Sequence, residues 1–234
     1  MWGSMSLENN VKTSMNLNRY FDHTLLQSDS TKNDIKKLCA EAMEYGFYAV
    51  CVHSSYVPLA VEALLGSDVK VVTVVGFPLG AVSTEVKAYE TDWACEHGAQ
   101  EIDMVIHIGA LKEGRFEYVK NDIATVVAFA DEYDAIVKVI LEAGNLSDEE
   151  IIKACQLSME AGAAFVKTST GFHITGATAD HIKLMRSVVG SNMKIKASGG
   201  IRDYKTAKKM IEAGADRIGA SASIAIMQEA NKLV

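Results

Sequence analysis

Lys70-Val71-Val72-Thr73-Val74-Val75 is a β-branched run that lacks the polar alternation of a sheet with one face in water. A strand of this kind is typical of a parallel sheet that is covered on both faces. Further candidate strands flank it at the spacing of successive strand–helix units. They are Arg19–Leu25, Tyr48–Val52, Glu101–Ile106, Ile136–Leu141, Phe165–Thr168, Met193–Ala197 and Arg217–Ala220.

Amphipathic stretches with helix-start signals fill the gaps between these strands. Ser147-Asp148-Glu149-Glu150 has a capping-box pattern, and Ile151, Cys155 and Met159 then share one helical face. Strands and helices that alternate eight times predict a closed (β/α)8 TIM barrel. An open doubly wound sheet is the alternative, and it is disfavoured because no Gly-x-Gly-x-x-Gly follows the first strand.

Length and the start of the chain define the domain organisation. At 234 residues the chain falls within the usual range for a single barrel domain. We assign residues 17–234 to this domain and interpret residues 1–16 as an N-terminal extension. Its first four residues, Met-Trp-Gly-Ser, precede a second Met and resemble a cloning remnant, so they are left out of the fold prediction.

Composition disfavours several classes of partner and site. A formal net charge of −7 argues against a nucleic-acid partner, which would need a basic face. No apolar run approaches the roughly 20 residues that span a bilayer. The start also lacks a signal-peptide pattern, so we expect no membrane association and a cytoplasmic location. Cysteines far apart in apolar segments predict buried, reduced thiols; they are Cys39, Cys51, Cys95 and Cys155.

A fourfold repeat orders the chemically interesting residues. Its copies are Glu44-Tyr45-Gly46, Glu96-His97-Gly98, Glu160-Ala161-Gly162 and Glu212-Ala213-Gly214. Each glycine is predicted to end a helix in the left-handed conformation, directly before a strand. The fifth residue after each glycine lies on an even-numbered strand; these residues are Cys51, Asp103, Lys167 and Gly219. Because alternate strands of a barrel supply one interior layer, we expect these positions at one level.

Charged residues inside a barrel need a physical reason, because unpaired buried charge is costly. Asp103 and Lys167 could form an ion pair that only fixes the core, but we favour a catalytic layer. A desolvated lysine beside a second cation becomes a neutral, nucleophilic amine. Lys196 on the next strand is the natural second cation. Lys138 either joins the network or pairs within the core.

A Schiff base is the chemistry that these residues permit. Neutral Lys167 would attack an aldehyde carbonyl and lose water, and the iminium would accept electrons from an adjacent bond. Asp103 and Lys196, with a water molecule, would move the protons. The three groups would titrate as one coupled set.

Glycines at the ends of the last strands predict a phosphate site. Gly199 and Gly200 follow strand seven, and residues 219–223 follow strand eight and open a short helix. Backbone N–H groups and a helix N-terminus hold phosphate at this place in many barrels. Gly171 after strand six could add a third donor.

The histidines do not predict a metal site. The sequence contains neither His-x-His nor His-Glu-x-x-His, so we expect no metal and no other cofactor. His23, His53 and His107 lie near strand ends, where contact with the pocket and ordinary packing both remain open.

Five motifs are specific in combination: Ala49–Val52, Val72–Gly80, Glu101–Val105, Val166–Gly171 and Lys196–Arg202. Through them the chain resembles the deoxyribose-phosphate aldolase family, from Asp22 to about Ile226. The resemblance implies reversible cleavage of 2-deoxy-D-ribose 5-phosphate into acetaldehyde and glyceraldehyde 3-phosphate, in deoxynucleoside catabolism. It also implies a metal-free, cytoplasmic enzyme that is often dimeric, so a homodimer is expected.

The resemblance assigns the Schiff base to Lys167 and proton transfer to Asp103 and Lys196. Candidates for contact with substrate or phosphate are Gly171, Gly199, Gly200, Gly219, Ser221, Cys51, Asp22 and Thr24. Four positions depart from the family pattern: His53 and His107 replace a common asparagine, Ala143 a common threonine and Ala222 a frequent serine. The loss of a hydroxyl at Ala222 predicts weaker phosphate binding.

Two other functions compete with the aldolase. A barrel that only binds sugar phosphates would not need a desolvated amine, and a phosphosugar isomerase would use a Glu or Cys base without a Schiff base. Trapping with borohydride separates both from the aldolase.

Overall fold

In the computed structural model, which describes residues 16–173 and 175–232, parallel strands close into a barrel. The strands are β1 Phe21–Thr24, β2 Ala49–Val52, β3 Lys70–Val75, β4 Glu101–Val105, β5 Ile136–Ile140, β6 Phe165–Lys167, β7 Lys194–Ser198 and β8 Arg217–Ala220. Neighbours in sequence are neighbours in the sheet, and β1 closes on β8 with Asp22 opposite Gly219. The predicted TIM barrel is confirmed, and the doubly wound alternative is wrong.

Helices connect the strands on the outside of the barrel. They are α1 Lys32–Tyr45, α2 Val57–Ala63, α3 Thr84–Glu96, α4 Ile108–Lys112, α5 Phe116–Asp131, α6 Asp148–Glu160, α7 Ala179–Val189, α8 Tyr204–Glu212 and α9 Ser223–Asn231. Short 3-10 helices cover Leu17–Tyr20, Ser54–Tyr56 and Ala143–Asn145. Among the residues described, no helix is long and apolar enough to cross a membrane. Of the predicted N-terminal extension, only Asn16 is described, and the boundary at residue 17 stays a prediction.

Predicted and observed strands agree to within one or two residues at their ends. The largest difference is at β1, which begins at Phe21 rather than at Arg19. Arg19 is exposed, and its guanidinium donates to the carbonyl oxygen of Phe47 at 3.1 Å. Pairing with β2 therefore starts where Phe21 turns a fully buried side chain into the core.

Helix ends in this chain set the register of the interior. Gly46 ends α1 with φ of 63°, a left-handed conformation that glycine adopts without a Cβ clash. The equivalent repeat glycines Gly98, Gly162 and Gly214 also have positive φ. Because each helix ends in the same way, the strands start at the same distance after the glycine.

The barrel interior has an apolar side and an ionic side. Leu26, Ala49, Cys51, Val72 and Val74 form an apolar cluster near β2 and β3. Across from it, β1 and β4 to β8 carry buried charges. All four cysteines are buried free thiols, as predicted. The charged side chains of the interior are thus almost completely buried.

Candidate active site

The carboxyl ends of the strands surround a cavity of about 210 Å³. Seven of the predicted site residues line it: Thr24, Lys167, Gly171, Gly199, Gly200, Gly219 and Ser221. The other four lie outside its wall and are at most 1 % exposed: Asp22, Cys51, Asp103 and Lys196. The predicted residues therefore divide into a cavity wall and a buried layer.

Asp103 lies at the centre of the buried layer and binds three lysines. Its Oδ2 accepts hydrogen bonds from Lys167 Nζ at 2.7 Å and from Lys196 Nζ at 2.8 Å. Its Oδ1 accepts one from Lys138 Nζ at 2.9 Å. Asp103 lies opposite Lys138 in the β4–β5 pair, and Lys167 lies opposite Lys196 in the β6–β7 pair. The structure thus brings the predicted triad together and adds Lys138 to it.

The surroundings of Lys167 disfavour its ammonium form. Burial lowers the pKa of Lys167 below its ordinary value of 10.5; Asp103 opposes this effect and repulsion by Lys196 reinforces it. The residue is only 3 % exposed, yet it lies in the cavity wall. Lys167 therefore has access to the cavity, and its pKa is shifted in the direction that favours a nucleophilic amine.

The charged neighbours of Lys167 stay ionised. Burial opposes the charge of Lys196, but the attraction of Asp103 and Asp22 is stronger and raises the pKa of this lysine. Burial also opposes ionisation of Asp103, whose pKa is nevertheless held well below its ordinary value by Lys138, Lys167 and Lys196. At Asp22 the nearby cations, Lys196 first, overcome burial and lower the pKa to about 2. The pKa shifts of Asp22, Asp103 and Lys196 thus all favour charged groups around Lys167.

Two predicted substrate contacts, Asp22 and Cys51, belong to the buried layer and do not line the cavity. Burial raises the pKa of Cys51 to about 11, so the group stays a thiol. The Asp22 carboxylate pairs with Lys196 and accepts a hydrogen bond from Arg217 at 2.8 Å. Thr24, two residues further along the same strand face, does reach the cavity.

Three glycines present backbone donors to the cavity. The N–H groups of Gly171, Gly199 and Gly200 donate no hydrogen bond within the part of the chain that the structure describes. A Cβ on Gly199 would lie 3.0 Å from Gly176 Cα and 3.4 Å from Gly171 Cα. Only bare backbone therefore allows the loops after β6 and β7 to approach so closely. The result is a group of N–H donors suited to a phosphate.

The last strand completes this wall. A Cβ on Gly219 would lie 3.0 Å from Lys196 Cε, so glycine leaves room for the lysine. Ser221 is exposed in the cavity wall, and α9 begins two residues later at Ser223, as predicted. The positive end of the α9 dipole thus adjoins the cavity and favours an anion there.

Glu142 is a residue of this site that the sequence analysis missed. It follows β5, is 1 % exposed and has φ of 55°, a conformation that is rare without glycine. Its Oε2 accepts hydrogen bonds from the Thr170 N–H at 3.2 Å and the Thr170 hydroxyl at 2.5 Å. Thr170 lines the cavity directly before Gly171. Glu142 therefore orients Thr170, which lies in the segment between Lys167 and Gly171.

Further charged residues were missed as well. Glu101 Oε2 forms a salt bridge with Lys138 Nζ at 2.5 Å, and Arg217 pairs with Asp22. Glu101 precedes Asp103 by two residues, and Arg217 precedes Gly219 by two. The period-two alternation of a strand would have placed both inside the barrel. Arg202 supplies a cationic side chain to the cavity wall.

The histidines near strand ends take part in packing and do not line the cavity. His23 Nε2 lies 3.1 Å from Glu41 of α1, and His53 Nε2 lies 3.0 Å from the Leu26 carbonyl oxygen. His107 accepts from the Ala110 N–H and caps α4. Within residues 16–173 and 175–232, no group of three His, Cys, Asp or Glu residues could hold a metal ion.

Comparison with known proteins finds relatives that match almost the whole chain. The family described as DeoC/LacD family aldolase matches residues 17–229. Deoxyribose-phosphate aldolase of Alkaliphilus oremlandii is 60 % identical over 92 % of this chain and 96 % of its own. That of Thermococcus kodakarensis is 58 % identical over 91 % of this chain and 96 % of its own.

A solved structure gives the same result for the fold. The tetrameric deoxyribose phosphate aldolase of Aeropyrum pernix superimposes with a TM-score of 0.88 at 35 % identity. The match covers 93 % of this chain and 92 % of that one. The barrel that carries the site described above is therefore shared with a solved aldolase.

Proposed function

This chain belongs to the DeoC/LacD family of aldolases, and from this premise we propose that it cleaves 2-deoxy-D-ribose 5-phosphate through a Schiff base on Lys167. The products are acetaldehyde and D-glyceraldehyde 3-phosphate, and the reaction is reversible. The observation that carries the proposal is the buried Asp103 carboxylate with Lys167 and Lys196 on one oxygen. Mere binding of a sugar phosphate gives no reason for a desolvated amine in the cavity wall.

The first half of the reaction forms the iminium. Neutral Lys167 Nζ attacks C1 of the open-chain sugar, and the carbinolamine loses water. Two proton transfers are required, one away from the nitrogen and one to the departing hydroxyl. Lys196 and Asp103 lie within hydrogen-bond distance of each other beside Lys167, and a water molecule in the cavity would connect them to the substrate.

The second half breaks the carbon–carbon bond. A base removes the proton of the C3 hydroxyl, the C2–C3 bond breaks, and its electron pair moves into the iminium. Glyceraldehyde 3-phosphate leaves, and an enamine remains on Lys167. Protonation at C2 and hydrolysis then release acetaldehyde and restore the amine. The positive charges of Lys138 and Lys196 favour a neutral Lys167 at the end of the cycle.

The substrate phosphate is proposed to bind at the opposite wall of the same cavity. The donors would be the N–H groups of Gly171, Gly199 and Gly200, together with Ser221, which lies two residues before α9. Backbone donors and a helix dipole bind a dianion without a basic patch. This mode of binding fits a chain with a formal net charge of −7.

Reductive trapping tests the proposal. Borohydride in the presence of acetaldehyde should leave an ethyl group on Lys167, located by peptide mass mapping, and Lys167→Ala should abolish it. Lys112→Ala, which removes an exposed lysine, is the matched control and should retain the adduct. An adduct on another lysine, or no adduct on a folded protein, would instead favour the isomerase or the barrel that only binds.

We also propose that the enzyme is a cytoplasmic homodimer, as the family resemblance implies. Val86 and Tyr89 lie three residues apart on α3 and are 44 % and 69 % exposed, and Val82, just before this helix, is 39 % exposed. This apolar stripe is our candidate for the contact between subunits. Sedimentation equilibrium should show dissociation for Tyr89→Glu and an unchanged dimer for Leu65→Glu, a control after α2 that is 85 % exposed.

A further inference from the structure

Among the described residues, the eight strands carry one more buried cation than buried carboxylates; Glu142 after β5 and Arg202 after β7 belong to the site but lie outside the strands and are not counted. The carboxylates are Asp22, Glu101 and Asp103, and the cations are Lys138, Lys167, Lys196 and Arg217. Each of these residues is at most 5 % exposed. Of the other strands, β2 contributes Cys51, a protonated thiol, and β3 contributes the uncharged residues Val72 and Val74. An excess positive charge in a dry interior is costly, so one cation should give up its proton.

Contacts distinguish Lys167 from the other three cations. Lys138 contacts Glu101 at 2.5 Å and Asp103 at 2.9 Å. Lys196 pairs with both Asp22 and Asp103. Arg217 likewise contacts two carboxylates.

Lys167 contacts Asp103 alone, at 2.7 Å, and shares that oxygen with Lys196. The positive charge of Lys167 is therefore compensated by fewer carboxylates than that of the other three cations. A proton lost from Lys167 leaves three cations matched to three carboxylates.

We propose that Lys138 is a positioning residue for the reaction, acting through its fixed charge on the far side of Asp103 from Lys167. Glu101 holds Lys138 against Asp103 Oδ1. The negative charge of Asp103 is therefore partly compensated by Lys138, and Asp103 stabilises the ammonium form of Lys167 less strongly. Lys138 touches no wall of the cavity and cannot contact substrate there. The inference rests on the Schiff-base function proposed above.

The sign of the effect follows from the charges. Removal of Lys138 leaves three carboxylates and three cations, so Lys167 would keep its proton up to a higher pH. Removal of the Glu101 charge has the opposite effect, since the excess of positive charge grows. A unit charge one carboxylate away, at an effective dielectric near 20, moves a pKa by about 1 to 2 units.

The experiment measures the pH at which trapping of acetaldehyde on Lys167 by cyanoborohydride reaches half its maximal rate. For Lys138→Met this pH should rise by about 1 to 2 units, and for Glu101→Gln it should fall. The double variant should return towards wild type, because it removes one charge of each sign. Lys138→Arg is the matched control: it disturbs the packing but keeps the charge, so its midpoint should stay at the wild-type value.

The double variant also guards against misfolding, because it removes a pair rather than leaving a buried carboxylate uncompensated. A purely structural role for Lys138 would lower the trapping rate without moving the midpoint. Equal midpoints in all folded variants, or shifts of one sign for both single variants, would overturn the inference. If the wild type forms no adduct on Lys167, it is the proposed function that fails.

Discussion

Replacement of Lys87 by methionine should destabilise the protein more than substitution of an exposed lysine, because it removes one partner of a buried ion pair. Lys87 on α3 is fully buried, and its Nζ donates to Asp122 Oδ2 at 2.5 Å and to the Val105 carbonyl oxygen at 2.9 Å. Asp122 on α5 is also fully buried, and its other oxygen accepts from the Thr84 hydroxyl at 2.8 Å. Lys87→Met therefore leaves a buried carboxylate with one neutral donor.

The expected cost is about 3 to 5 kcal/mol, the range for loss of one partner of a buried ion pair. Methionine fills most of the space of the lysine stem, so a cavity adds little. Lys87→Met/Asp122→Leu removes both charges. Its remaining penalty is the loss of hydrogen bonds to Val105 and Thr84, about 1 to 2 kcal/mol each, offset by apolar burial.

Urea unfolding followed by circular dichroism supplies the free energies of unfolding for the wild type and the single and double variants. We expect the double variant to be more stable than Lys87→Met by at least about 2 kcal/mol, because it no longer buries an unpaired carboxylate. A single variant that costs under about 1 kcal/mol, or a double variant no better than the single one, would refute the reasoning.

Three other changes have outcomes that the structure specifies. Ala222→Ser adds a hydroxyl at the start of α9 and should lower KM for the phosphorylated sugar with little change in kcat; an unchanged KM contradicts the expectation. Glu142→Ala leaves the N–H and hydroxyl of Thr170 unpaired and should lower kcat/KM by about 10-fold or more, while Glu142→Gln keeps an acceptor and should retain most activity. In the folded state burial disfavours the Asp22 carboxylate, but nearby cations overcome this effect and lower its pKa to about 2. The ionised Asp22 therefore stabilises the folded protein fully above about pH 4, and this contribution is lost as the pH falls through 2. Asp22→Asn should therefore flatten the acid limb of stability against pH, and an unchanged limb in acid titration of the variant would argue against this.

Local backbone rules made part of the site predictable. A left-handed glycine fixes where its helix ends, and the strand that follows starts at a constant distance. Asp103 and Lys167 could be assigned to one layer for that reason, after Gly98 and Gly162. Cys51 lies at the same distance after Gly46, but the sequence did not show that packing buries its side chain below the cavity. Sequence spacing does not measure the depth of a side chain.

The missed residues depend on contacts between distant parts of the chain. Arg217 reaches Asp22 across a sequence separation of 195 residues, and it approaches Glu101 from the opposite side of the barrel. Alternation along the strands could have placed Glu101 and Arg217 inside the barrel, but which residues pair there is determined by strand tilt and register around the closed sheet. Glu142 was missed for another reason: it takes a positive φ that only glycine, asparagine or aspartate would have suggested.

The buried charged residues of the site lie on strands, whereas the glycines that would bind phosphate lie in loops. We therefore expect the two groups to affect different kinetic constants. Lys167, Asp103 and Lys196 lie on strands whose backbones are paired on both sides, so their nitrogens and oxygens keep a fixed geometry. Gly199 and Gly200 lie in a loop after β7, where the backbone can adjust to an anion. A carbinolamine requires the lysine and its proton donors within hydrogen-bond distance, whereas a phosphate tolerates small shifts among several N–H donors. Substitution of the strand residues should therefore lower kcat, because it affects bond formation and cleavage. Substitution in the glycine loops should first raise KM, because it affects substrate affinity.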